Sequence, residues 1–329
     1  ADFSAALIHG FARERFHILE NLELFFPDRR EDGEGLYLFE PYDPERIPVL
    51  LIHGIWSSPI TFLELHNEII GDPQLNTRFQ VWSYLYPTGL SVWENAARLR
   101  RRLKALRHTL DPSGRDPAMR DMVVVGHSMG GLLARTLAQD SGDKVGSAFF
   151  NRPTSELGLP EELAQRLDEI FHFSPLDYLS RIIFVATPHR GSGYASSILG
   201  SLVSKLVDSP DFLQRELDWL IERRPEWVAC RSSRLAELGD SVLDLEYDSV
   251  TIRVFQSLTW DPRIAIHTIL GTTIADQIVP DTTDGIVDYS SGHLDQAISE
   301  RIVPTGHAVH KHPLAIQEIR RILRKHATP

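Results

Sequence analysis

The feature that most constrains this chain is a pentapeptide, Gly126-His127-Ser128-Met129-Gly130, set between the apolar run Met122-Val123-Val124-Val125 and a helical pattern. A strand that turns this abruptly into a helix forces the middle residue into a strained backbone conformation. Small residues two before and two after let the chains pass closely, and Gly131 adds room on the helix side. The Ser128 hydroxyl is then held out over a sheet edge, which commits the chain to a strand–turn–helix unit around a nucleophile.

The rest of the sequence agrees with such a sheet. Short apolar runs at 36–40, 48–53, 80–85, 122–126, 182–186, 264–270 and 301–303 alternate with helical patterns, notably 91–108, 129–139 and 312–326. Several runs are apolar throughout, as strands buried on both faces are. The expected fold class is therefore α/β: a mostly parallel central sheet with helices on both faces. Two stretches break the alternation, 141–180 and 192–262, punctuated by Pro153, Pro160, Pro175, Pro210 and Pro225. Stretches this long are usually functional or separately folded, so both are read as insertions forming a helical cap. This divides the chain into an N-terminal helical segment (1–35), an α/β core (36–140, 181–191 and 263–329) and two cap insertions (141–180 and 192–262). Phe149, Phe150, Phe171, Phe173, Trp219 and Trp227 of the insertions are each more often ordinary core than channel lining, but together an apolar cap of this kind fits an acyl-ester substrate.

A serine hydroxyl is a weak nucleophile at neutral pH, so it needs a base within hydrogen-bond reach and a third group to orient that base. Both should come from loops after the later strands. The run at 264–270 is followed by Asp276, Asp281, Asp284 and Asp288. Asp284 is chosen because Asp284-Gly285-Ile286-Val287 places it at a turn with a hydrophobic anchor behind it; Asp276 and Asp281 are the runners-up. After 301–303 comes Pro304-Thr305-Gly306-His307, then His310 and His312. His307 is chosen because it lies just past the strand end and follows a glycine, with His310 next. Acyl transfer also needs donors for the developing oxyanion. The turn His53-Gly54-Ile55-Trp56 offers the N–H of Ile55, to act together with that of Met129.

Composition narrows what remains. Lys+Arg number 34 against 45 Asp+Glu, a formal charge of −11, which argues against nucleic acid as a partner. The one dense basic stretch, Arg98 to Arg107, has no interleaved aromatics and reads as a solvated helix face. Cys230 is alone, so neither an intramolecular disulfide nor a cysteine-based zinc site is expected, and the three late histidines lack acidic partners at a fixed helical spacing. No cofactor or metal is specified. No apolar run approaches a membrane span. The chain starts at Ala1 with no basic-then-apolar leader, so removal of a signal or a longer N-terminal portion is an expectation, and the compartment is left open.

Taken together, HGIW at 53–56, GHSMGG at 126–131, the Asp284-Gly285 loop and the late Gly306-His307 resemble an α/β-hydrolase of the bacterial lipase and serine-esterase type. The resemblance implies Ser128 as nucleophile, His307 as general base, Asp284 as orienting acid, and Ile55 and Met129 as the oxyanion-hole residues. Ala186-Thr187-Pro188-His189-Arg190-Gly191-Ser192 also resembles a strand-end stretch of those enzymes, which implies a structural role for His189. The function so implied is carboxylic-ester hydrolysis on small or lipid-like neutral esters. Thioester or amide hydrolysis by the same residues and a catalytically silent binding protein are the alternatives, and contact with a lipid interface is left open.

Overall fold

The structure, a computed structural model, describes residues 34–193, 222–229, 241–274 and 282–327. Nearly all of the expected N-terminal segment, Cys230, Asp276, Asp281, Trp219 and most of the second insertion lie outside the described residues.

Seven strands form one sheet: β1 (Gly35–Leu38), β2 (Ile47–Ile52), β3 (Phe79–Leu85), β4 (Met122–His127), β6 (Leu179–Val185), β8 (Ala265–Gly271) and β9 (Ser299–Val303), in the order β1-β3-β2-β4-β6-β8-β9. Only β1 runs antiparallel, along β3; the other pairings are parallel. All seven apolar runs read from the sequence are strands, displaced by one to three residues at their ends. Two residues from each of β5 (Gln139–Asp140) and β7 (Thr259–Trp260) pair separately.

The central strands are apolar on both sides because each face meets helices. Leu50, Ile52, Val124, Ile182 and Phe184 point into one apolar cluster, while Val49, Leu51, Val123, Val125, Ile183 and Val185 point into another. This is the period-2 alternation of a strand, with both phases buried. Helix α1 (Leu63–Ile70) and the C-terminal helix, Pro313–Ala327, cover the second face, supplying Leu65, Ile69, Ile319 and Leu323. The first face is covered by α2 (Val92–Leu110), α3 (Met129–Arg135), α4 (Lys144–Phe149), α5 (Glu161–Phe171) and α6 (Val250–Ser257). The C-terminal helix completes the series as α7.

The first insertion contributes α4 and α5, and Phe149, Phe150, Leu163, Leu167, Phe171 and Phe173 join the same apolar cluster as Trp93 and Leu132. Its aromatic residues are thus part of the main core, and Trp227 packs at the edge of that cluster. Helix α3 is shorter than the pattern at 129–139 suggests. Thr136, Leu137 and Ala138 donate to carbonyls three residues back, which tightens the last turn, and Gln139 leaves it to pair with Trp260.

The basic stretch of α2 is met by carboxylates: Arg98 by Glu34 and Glu94, Arg101 by Glu169, Arg107 by Asp177. Burial works against the charge of Glu94, but Arg166 and Arg98 outweigh it and hold the carboxyl below its usual range. Among the described residues no helix is long and apolar enough to cross a membrane.

Candidate active site

The parallel register brings the strand ends to one edge. Ile52 lies opposite Gly126, His127 opposite Val185, and Gly271 opposite Val303. The loops that follow β2, β4, β6, β8 and β9 therefore emerge side by side at the carboxyl end of the sheet, where open α/β sheets place their ligands.

Ser128 sits at φ 52° and ψ −127°, a left-handed conformation that a side chain adopts only when its surroundings impose it. Its N–H donates to Val185 O at 2.9 Å and its carbonyl accepts from Gly131 N at 2.9 Å, so the turn is pinned from strand and helix alike. The glycines are required by contact. A Cβ on Gly131 would stand 1.9 Å from Thr187 Oγ1, and one on Gly126 would stand 2.7 Å from Gly131 Cα. Gly54, on the loop after β2, packs so closely that its Cβ would meet Ser128 Cβ at 2.9 Å.

Three of the side chains expected from the sequence come together here. His307 Nε2 is 2.9 Å from Ser128 Oγ, and His307 Nδ1 is 2.8 Å from Asp284 Oδ2. Asp284 is almost fully buried, and its other carboxylate oxygen accepts the N–H groups of Ile286 at 2.9 Å and Val287 at 2.7 Å. That turn closes because Gly285 takes φ 94°, and Thr283 and Asp288 bridge its ends. The Asp-Gly pair that singled out Asp284 in the sequence is thus the turn that aims its carboxylate.

Ile55 follows Gly54, and Met129 opens α3. Neither backbone N–H donates to an acceptor among the described residues. The loop that carries Ile55 is fixed by its neighbours. Tyr86 stacks on the His53 ring at 4.3 Å and donates its hydroxyl to His53 O at 2.6 Å, while Trp56, at φ 52°, donates its N–H to Thr88 Oγ1. Burial pushes His53 down to about 4, so its ring is neutral and Nδ1–H donates to Gly54 O.

His310, the second histidine considered from the sequence, stands away from Ser128. Its Nε2 is 2.5 Å from Thr61 Oγ1, its ring meets the Phe62 edge, and burial followed by the nearby charges of Lys311 and His307 pushes it down to about 3. His189 is buried against α3, edge-on to Phe184. Arg135 donates to its carbonyl at 3.2 Å and also to Phe255 O and Gln139 Oε1. Sequence reasoning assigned nothing to His127, Thr61, Tyr86 or Arg135. A GxSxG match treats the residue before the serine as free, and the others act through tertiary contacts with no local spacing to betray them. Among the described residues no group of three His, Cys, Asp or Glu side chains is placed to hold a metal ion.

The model of the alpha/beta hydrolase family matches residues 49–318. No curated protein sequence matches the chain. Among solved structures, a lipase of Bacillus licheniformis in its propeptide form is similar with TM-score 0.50 and 15% identity, covering 88% of this chain and 53% of that one. The chain thus spans about half the length of that form. The mature form of the same lipase gives 0.49 and 15%, over 88% of this chain and 97% of that one. A Staphylococcus hyicus lipase gives the same figures, 0.49, 15%, 88% and 97%. At 15% identity the likeness to the propeptide form is one of fold alone.

Proposed function

The chain belongs to the alpha/beta hydrolase family, and from that premise we propose that it is a serine carboxylic-ester hydrolase working through an acyl-enzyme. The observation that carries this reading is the unbroken chain Ser128 Oγ, His307, Asp284, at 2.9 and 2.8 Å, on the carboxyl edge of the sheet.

In the proposed reaction, His307 Nε2 takes the hydroxyl proton as Ser128 Oγ attacks the ester carbonyl carbon. The tetrahedral oxyanion is held by the N–H groups of Ile55 and Met129 as its charge develops. Asp284, fixed by two backbone N–H groups, keeps His307 in the tautomer that presents a lone pair to Ser128 and stabilises the imidazolium. His307 then gives its proton to the leaving alkoxide, freeing alcohol and leaving the acyl group on Oγ. Water, deprotonated by His307, attacks that acyl group by the same steps, and the proton returns to Ser128 as the acid departs.

Neutral, apolar esters are the proposed substrates, with the described residues 241–262 of the second insertion lying beside the site. The support is positional: Gly191 packs against the Tyr247 backbone, Ser192 N donates to Leu245 O, and the Ser192 hydroxyl donates to Ile286 O in the Asp284 turn, so Leu245 and Tyr247 sit beside that turn. The test is a p-nitrophenyl ester series of rising acyl length, run with wild type and Ser128→Ala beside matched thioester and amide substrates. The reading expects esters to lead and Ser128→Ala to lose turnover by roughly 10⁶. A stronger thioester or amide rate would transfer the triad to those substrates, and a strict preference for charged acyl groups would remove the apolar one.

A further inference from the structure

His127, the residue between β4 and the strained serine, is bonded to the residue that carries the base. Its Nε2 lies 3.0 Å from His307 O, the imidazole N–H donating to that carbonyl. The ring is buried and confined on every side. A Cβ on Gly54 would stand 3.0 Å from its Nδ1, and the His310 ring lies 3.9 Å away, itself tied to Thr61 on the far end of the Gly54 loop. The His307 ring centre is 5.1 Å from that of His127.

We propose that His127 is a positioning residue for the ester hydrolysis described above: by holding the backbone carbonyl of His307 it fixes the loop after β9 so that Nε2 meets Ser128 Oγ. The inference rests on that reading of the site. Its physical basis is leverage. His307 rides on a short loop between β9 and the turn at Val309–Lys311, and its side chain is restrained by one bond to Asp284 and one to Ser128. Those two bonds act on the ring and not on the backbone of residue 307. The His127 bond adds a third restraint on the backbone itself, from an anchor one residue before the nucleophile. Displacements of about 1 Å in a reacting group lower rates by roughly 10²-fold, so a bond of this kind acts on turnover more than on substrate affinity.

The bond also needs one tautomer, with the proton on Nε2. Burial, then the adjoining His310 and His307, hold His127 well below the usual histidine range, so the ring stays neutral. Among the described residues its Nδ1 has no hydrogen-bond partner, which leaves the Nε2–H bond as the polar tie the ring makes.

The test compares three substitutions in the full chain. His127→Gln places an amide donor near the Nε2 position. His127→Asn carries the same group too short to reach His307 O, and His127→Leu removes the donor at similar volume. Steady-state kinetics on p-nitrophenyl butyrate, fluorophosphonate labelling rates of Ser128 and thermal midpoints are read for each. The proposal expects Leu and Asn to lower kcat and the labelling rate at least tenfold with KM within about twofold, and Gln to recover most of the loss. Because Gln and Asn are both polar and of similar cost to the core, their comparison stands even where Leu does not fold. Equal activity in all three variants would overturn it, as would a loss common to all three that follows the drop in thermal midpoint. A wild-type rate that Ser128→Ala does not abolish would instead sink the ester-hydrolase reading itself.

Discussion

Lowering the pH from 7.5 to 5 should remove much of this protein's stability, through histidines that the fold keeps neutral. Burial pushes His53 and His66 down to about 4 and His267 and His310 down to about 3, from an ordinary value of 6.5. All four have less than a tenth of their surface exposed. A base whose folded value is depressed contributes stability that is fully present above the unfolded value of 6.5. That contribution is lost as the pH falls towards the folded value, because only the unfolded chain takes up the proton. At pH 5 nearly every unfolded histidine is charged and the four folded ones remain nearly neutral. The loss is about 2 kcal/mol per group, or about 8 kcal/mol for the four, against about 3 kcal/mol in total at pH 6. Folded domains are stable by roughly 5–15 kcal/mol, so the pH 5 figure is comparable with the whole margin. His127 and His189, held lower still by burial and their charged neighbours, add to it. Urea unfolding followed by circular dichroism at pH 7.5, 6 and 5 measures this directly, with stability falling by about 5 kcal/mol per pH unit near pH 5. A stability that stays level within about 1 kcal/mol from pH 7.5 to 5 would refute the reasoning.

Three further outcomes follow from the site. Asp284→Asn keeps the turn at Ile286 and Val287 but ceases to select the right tautomer of His307, so kcat should fall by about 10⁴ with little change in KM; initial rates on p-nitrophenyl butyrate check it. Gly131→Ala forces Thr187 off the nucleophile helix and should destabilise the fold by about 1–3 kcal/mol despite alanine's better helix propensity, read as a lower urea midpoint; adding Thr187→Gly should restore part of it. Arg135→Met removes a buried guanidinium, lowered to about 9 by burial, that donates to three segments; it should loosen the loop at His189, seen as faster amide hydrogen exchange there.

The strands were legible because they are short apolar runs whose burial on both faces leaves no polar phase, as in Val49-Leu50-Leu51-Ile52. The elbow and the Asp284 turn were legible because glycine is required there, by contact at Gly131 and by φ 94° at Gly285. Choosing His307 over His310 from the sequence rested on distance past a strand end and a preceding glycine. In the structure His307 faces Ser128, and His310 is drawn to Thr61, 249 positions away. No local pattern encodes such a pairing. The same limit applies to Phe149 and Phe171, which an apolar stripe cannot assign to channel or core. Their rings stack on each other at 5.9 Å, and both join the buried cluster that holds Trp93, which makes them core. The end of α3 was misjudged for a different reason. Leu137 and Ala138 continue the apolar pattern, but Thr136 turns its hydroxyl onto Leu133 O and the turn tightens.

The central claim is that Ser128 is the nucleophile of an ester hydrolase, and the most direct measurement is the site of covalent capture by a fluorophosphonate probe, mapped by mass spectrometry. One adduct per chain is expected, on Ser128, formed in step with loss of p-nitrophenyl butyrate hydrolysis and absent from Ser128→Ala. An adduct on another residue, or hydrolysis that persists once Ser128 is fully labelled, would contradict it.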